Sequence, residues 1–137
     1  MKIALLGTGF GQAHAAVYAE RPDVDEVVVF GRTAAKLAAI SGQFGFATTT
    51  DLDAVLADPS VDLVDVCLPT ALHADVAVAA MEAGRDVLIE LPLATTLEGA
   101  RRVIADAAAL PNAWRLARHL PRRGARVHHA GWVHRRR

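Results

Sequence analysis

Lys2-Ile3-Ala4-Leu5-Leu6-Gly7-Thr8-Gly9-Phe10-Gly11 decides the fold. Lys2 to Leu6 shows no helical face, as expected of a strand covered on both sides in a parallel sheet. The glycines from Gly7 to Gly11 break the run, and Gln12 to Glu20 resumes as an Ala-rich helix. Strand, glycine turn and helix in that order form the first half of a dinucleotide-binding unit. Gly7 permits the tight turn, and Gly9 lets the backbone approach a pyrophosphate. Thr8, Phe10 and Gly11 complete the loop, and the helix start offers unpaired N–H groups to the anion. The full G-x-G-x-x-G spacing would place its third glycine at Gln12; here it falls one residue early, at Gly11. A secretory signal would also begin with a basic and apolar start, but Ile3 to Leu6 is too short for its apolar core.

The second strand, Glu26 to Phe30, ends at Gly31-Arg32-Thr33. An NAD-binding unit usually carries an acid there to hold the adenine ribose. None is present. Gly31 removes a side chain that would repel a 2′-phosphate, Arg32 and Thr33 supply a cation and a hydroxyl, and Lys36 stands one turn later. This pattern suits NADP in preference to NAD.

The rest of the chain alternates strands and helices. Thr33 is placed to cap a helix over Ala34 to Ser41 ending at Gly42, and Phe44 to Thr48 suits a short strand. Asp51 caps a helix from Leu52 to Ala57. Asp62 to Leu68 and Arg85 to Glu90 suit strands. Helices are expected from the Pro69–His73 turn to Ala83, closed by Gly84, and from Thr96 to Ala109. This alternation predicts an α/β, Rossmann-type, doubly wound parallel sheet in a single domain, with strand order 3-2-1-4-5.

With 137 residues, 53% hydrophobic and 22% charged, the chain can build one domain with a sizeable core. No apolar run approaches the ~20 residues of a membrane helix, so no membrane partner and a cytoplasmic location are expected. Cys67, the single cysteine, rules out an internal disulfide and reads as a buried small residue. No metal-ligand cluster shows in the spacing of the residues. His14 reads as a packing residue of the first helix, and Asp75 and Glu82 as solvated helix positions.

Three further motifs, Leu68-Pro69-Thr70-Ala71-Leu72-His73, Glu82-Ala83-Gly84-Arg85-Asp86-Val87 and Glu90-Leu91-Pro92, follow the glycine loop in order. Together they resemble the cofactor domain of the Gfo/Idh/MocA oxidoreductases over roughly residues 2 to 109. That family shows a glycine loop with an early helical histidine, a T-P-x-x-x-H turn, an A-L-x-A-G-K-H-V strand entry, and E-K-P. The resemblance implies NADP or NAD as cofactor. It also implies hydride transfer on a sugar, polyol or related secondary alcohol.

By that resemblance Leu68, Pro69, Thr70 and His73 would lie near the cofactor, Glu90 would approach the nicotinamide ribose, and Pro92 would shape a tight turn there. His73 could equally be a polar residue at a helix start, and Glu90 one at a strand end. The chain departs from the family in its glycine loop, one residue shorter, and in Leu68, where threonine is usual. It departs most at Leu91, where E-K-P has the lysine that assists proton transfer. Leucine can be neither general acid nor base. The alternative to an oxidoreductase is therefore a non-catalytic nucleotide-binding or sensor protein, or a structural partner of a complete homologue.

Residues 1–109 hold seven lysines and arginines against all fifteen acids, whereas residues 110–137 hold eight arginines and no acid. A boundary is expected near Leu110, between a nucleotide-binding domain (1–109) and an Arg/His-rich tail (110–137). The tail fits a polyanion-binding segment, a solvated extension around one helix from Ala113 to His119, or a shifted reading frame in a GC-rich gene. The last explains both the charge flip and the loss of pattern. Nucleic acid is not the expected partner, since no binding module accompanies the arginines. The family's second, substrate-binding domain has no counterpart, so a truncated product of weak or no activity alone is expected. Its small-molecule substrate would need that domain supplied, and a homo-oligomer stays open.

Overall fold

A computed structural model describes residues 1–109. Five parallel strands, β1 (Lys2–Leu6), β2 (Glu26–Phe30), β3 (Ala47–Thr49), β4 (Leu63–Val66) and β5 (Asp86–Ile89), form one sheet in the order β3-β2-β1-β4-β5. The expected strand order and Rossmann-type architecture are therefore both present. The proposed tail and its Ala113–His119 helix lie outside the described residues.

Helices α1 (Gly11–Ala19) and α2 (Ala34–Phe44) share one apolar cluster with Ile3, Leu5, Val27 and Val29. Helices α3 (Leu52–Ala57), α4 (His73–Glu82) and α5 (Leu97–Ala109) share the other with Ala4, Leu6, Val64, Val66 and Val87. The alternation along β1 follows from the period of two in a strand: successive side chains enter opposite layers. Ile3, Leu5 and Leu6 are fully buried, and each contributes about 1.5–3 kcal/mol by leaving water. That is why the run reads as continuously apolar.

The elements differ from expectation at their ends. Helix α2 runs through Gly42 and stops at Gly45, whose φ of +73° only glycine adopts readily, with its N–H donating to the Ser41 carbonyl at 2.8 Å. Gly42 faces open space, so its helix penalty of roughly 1 kcal/mol is outweighed by the packing of Phe44 against the core. Phe44 is thus helical, stacked on Phe46 with ring centroids 5.6 Å apart, and β3 begins only at Ala47. Thr33 precedes α2 without a side-chain cap bond. Asp51 does cap α3, its Oδ1 accepting the Ala54 N–H at 2.9 Å. A 3₁₀ turn, Thr70–Leu72, leads into α4. Helix α5 starts at Leu97, with Thr96 Oγ1 accepting the Gly99 N–H at 3.0 Å.

Backbone bonds continue one residue past the strands. Gly7 N–H donates to Phe30 O (2.9 Å), Gly31 to Thr49 O (3.1 Å), Cys67 to Leu6 O (2.9 Å) and Glu90 to Val66 O (3.0 Å). The four loops that leave the carboxyl edge are thereby set side by side. In a doubly wound sheet the crevice opens where the strand order reverses, here between β1 and β4.

Candidate nucleotide site

Gly7 is buried at the exit of β1 with φ +120°. A Cβ there would lie 2.4 Å from the Cys67 carbonyl oxygen, so the loop passes flush against the exit of β4. Gly9 is exposed, and a Cβ on it would meet nothing within 4 Å. Helix α1 then begins with no side-chain cap and no acid in its first turn. The Gln12 and Ala13 N–H groups turn back onto the Gly9 and Phe10 carbonyls (3.2 and 2.9 Å), and no side-chain acceptor or acid competes with an anion at this helix start, as a phosphate loop requires. Gly11 is buried against Leu5 and Cys67, while Phe10 is largely exposed beside it.

At the exit of β2, Gly31 is buried because a Cβ would stand 2.6 Å from the Thr8 methyl and 3.1 Å from Leu37. Its lack of a side chain therefore serves the packing of the glycine loop, a reason beyond the open space expected for a 2′-phosphate. Arg32, Thr33 and Lys36 are exposed around the start of α2, which has no acid in its first turn.

The exits of β4 and β5 are joined by His73. The ring is buried, with Nε2 2.6 Å from the Leu68 carbonyl oxygen and Nδ1 2.9 Å from the Pro92 carbonyl oxygen. Its polar atoms are thus spent on two loop carbonyls. Pro69 is exposed and Thr70 half-buried on the same turn. The Leu91–Pro92 peptide is cis, and the Leu91 side chain is 57% exposed. Asp75 is exposed, as expected of a solvated helix position, and pairs at the surface with Arg102 across α4 and α5. These two residues also line a cleft of about 600 Å³, together with Thr70, Ala71 and the segment Ala94 to Thr96.

His14 is the clearest departure from expectation. It is no mere packing residue: Nδ1 lies 2.6 Å from Asp65 Oδ2, and Nε2 lies 3.0 Å from Glu90 Oε1. Both partners are carboxylates, so the protonated ring donates to each. Burial depresses the histidine pKa, but the bonds and charges of Asp65 and Glu90 outweigh it and raise the value above the usual 6.5. Asp65 is fully buried in β4; it also accepts from Tyr18 Oη at 2.6 Å and from the Cys67 thiol at 3.5 Å. Burial, then the Asp65 charge, pushes both the Tyr18 and Cys67 values far up, which keeps the thiol protonated and unreactive.

Sequence spacing missed this cluster. One signal was available: an acid interrupting the apolar run Leu63-Val64-Asp65-Val66 has no solvent to face and must find donors. Ligand-type atoms of His14, Asp65 and Cys67 lie within 4.8 Å of one another, contrary to the expectation of no such cluster. Hydrogen bonds already join these atoms.

Residues 1–116 match the model of a family described as an oxidoreductase family with an NAD-binding Rossmann fold. The match runs past the charge boundary near Leu110. A 4-carboxy-2-hydroxymuconate-6-semialdehyde dehydrogenase from Sphingobium sp. is 38% identical over 106 residues, covering 76% of this chain and 34% of the relative. Among solved structures, biliverdin reductase from Synechocystis sp., in complex with biliverdin and NADP⁺, aligns with a TM-score of 0.76 at 28% identity, over 82% of this chain and 36% of that one. A levoglucosan dehydrogenase in complex with NADH and levoglucosan aligns with a TM-score of 0.74 at 30% identity, over 80% and 32%. The chain spans about a third of the length of the curated relatives it matches.

Proposed function

Because this chain belongs to the Gfo/Idh/MocA oxidoreductase family, we propose that residues 1–109 form its nucleotide-binding domain, with NADP preferred over NAD. The open Gly9 beside the uncapped start of α1, at the β1–β4 crevice, carries this reading. A helix start without an acid, approached by a backbone without a side chain, is what a pyrophosphate needs. Thr8, Phe10 and Gly11 complete that wall. The 2′-phosphate would rest on Arg32, Thr33 and Lys36, since the Thr33 hydroxyl is free of any capping bond and Arg32 offers a fork of donors. Leu68, Pro69 and Thr70 would line the nicotinamide side, with Glu90 toward the ribose. His73 would act by holding Leu68 and Pro92 in place.

The bound nicotinamide would supply hydride transfer. The substrate would be a sugar, polyol or related secondary alcohol, a class supported by the likeness to levoglucosan dehydrogenase. Substrate contacts would come from residues outside this domain. The test is calorimetric titration with NADPH and then NADH. NADPH should bind more tightly, and Arg32→Ala should weaken it by roughly 10–100-fold, the worth of a charged hydrogen bond, with little change for NADH. Equal affinity for both nucleotides, unmoved by Arg32→Ala, would overturn the preference.

The exposed Leu91 favours a second reading, a non-catalytic nucleotide sensor, because no proton can move at that side chain. A Leu91→Lys variant joined to a family substrate domain separates the two. Turnover of a polyol gained by the lysine points to the oxidoreductase; continued inactivity with intact nucleotide binding points to the sensor.

A further inference from the structure

We propose that His14 is a positioning residue that aims the Glu90 carboxylate at the cofactor edge of the sheet, and releases it when the ring loses its proton. This inference rests on the nucleotide-site reading above. Glu90 leaves β5 with its backbone pinned to Val66 and its side chain mostly covered, with 22% of it reaching solvent. A glutamate in that setting would otherwise sample several rotamers. The His14 Nε2–Glu90 Oε1 bond of 3.0 Å selects one.

The ring is itself fixed from behind. Nδ1 is held by Asp65, which Tyr18 and Cys67 anchor in turn. Phe10 of the glycine loop stands edge-on to the imidazole at 5.6 Å, and Tyr18 at 6.3 Å. One side chain on α1 thus links the phosphate loop, the middle of β4 and the exit of β5.

The charges give this link a direction. Protonated His14 lies between two carboxylates and donates to both. A neutral ring can donate to only one. Asp65 is fully buried, whereas the Glu90 side chain is 22% exposed and can turn to water. The remaining proton therefore stays toward Asp65, where an unpaired carboxylate costs more. Nε2 then becomes an acceptor facing an acceptor, and Glu90 swings away. Tyr18 and Cys67, the other titratable groups facing the ring, stay protonated.

The test follows NADPH affinity by calorimetry from pH 6 upward, beside the His14 titration followed by NMR in the same chain. Affinity should fall roughly tenfold, the worth of one well-placed hydrogen bond, as pH rises through the His14 titration. The fall should vanish in His14→Gln and in Glu90→Gln. In Glu90→Gln, which swaps the carboxylate for an amide of the same size, the His14 pKa should also drop. A flat affinity profile in the parent chain while His14 titrates would overturn the proposal and leave the nucleotide site standing. Absence of binding by either nucleotide at every pH would overturn both, with the Glu90→Gln shift still reporting whether the two side chains are coupled.

Discussion

Gly7 and Cys67 meet backbone to backbone: a Cβ on Gly7 would sit 2.4 Å from the Cys67 carbonyl oxygen, at a φ of +120°. That closeness brings the exits of β1 and β4 together beside the crevice. It also separates the two leading glycines of the loop by role. Gly7→Ala must move a backbone carbonyl and strain φ, and should lower stability by about 3 kcal/mol. Gly9→Ala finds open space in the free chain and should stay within about 0.5 kcal/mol of the parent. Its methyl would stand where a phosphate must approach, so NADPH affinity should fall at least roughly tenfold. Urea denaturation and calorimetry on the two variants check the contrast. Equal stabilities would show that the loop yields freely at Gly7.

Tyr18→Phe removes the phenol that donates to Asp65 at 2.6 Å in a fully enclosed setting. Losing a hydrogen bond to a buried charge should cost about 2 kcal/mol. The urea midpoint should fall with its slope unchanged. A variant as stable as the parent would mean that Asp65 is satisfied by His14 and Cys67 alone.

His14 makes stability depend on pH in a defined sense. Its folded pKa lies above the ordinary 6.5. The stabilisation is therefore complete below about 6.5, where the ring is charged in both folded and unfolded chains. It is lost as pH rises through the raised folded value. Denaturation midpoints measured at about pH 6 and about pH 9 should decrease, and His14→Gln should flatten that step. A midpoint that rises over this window would contradict the paired geometry.

The strands, their order and the glycine turn were legible because they depend on local pattern. Short apolar runs bounded by glycine or proline and rich in β-branched residues suit buried strands, and their alternation with helices allows few topologies. Element ends were less legible. Gly42 looks like a helix stop, yet the packing of Phe44 two residues later carries α2 past it. The cluster around Asp65 was hidden for a different reason. His14, Asp65 and Glu90 are far apart in the chain and on three elements, and only the parallel register brings them together. Spacing motifs detect ligands on one element or one loop, so a network across the sheet leaves only the trace of an acid inside an apolar strand.

His73 was legible as a site residue by its motif, but its geometry assigns it to holding two loops together. The buried ring spans the Leu68 and Pro92 carbonyl oxygens, at 2.6 and 2.9 Å. His73→Leu keeps an apolar filling of similar reach and removes both bonds. Two carbonyls then lose their partners, at a cost of about 1–3 kcal/mol for each group that stays buried. Since Leu68 and Pro92 border the exits of β4 and β5, nucleotide affinity should fall together with the thermal midpoint. His73→Gln, which retains a donor, should recover part of both. If His73→Leu lowered the midpoint and left affinity untouched, the two loops would be shown to hold their binding shape without the bridge.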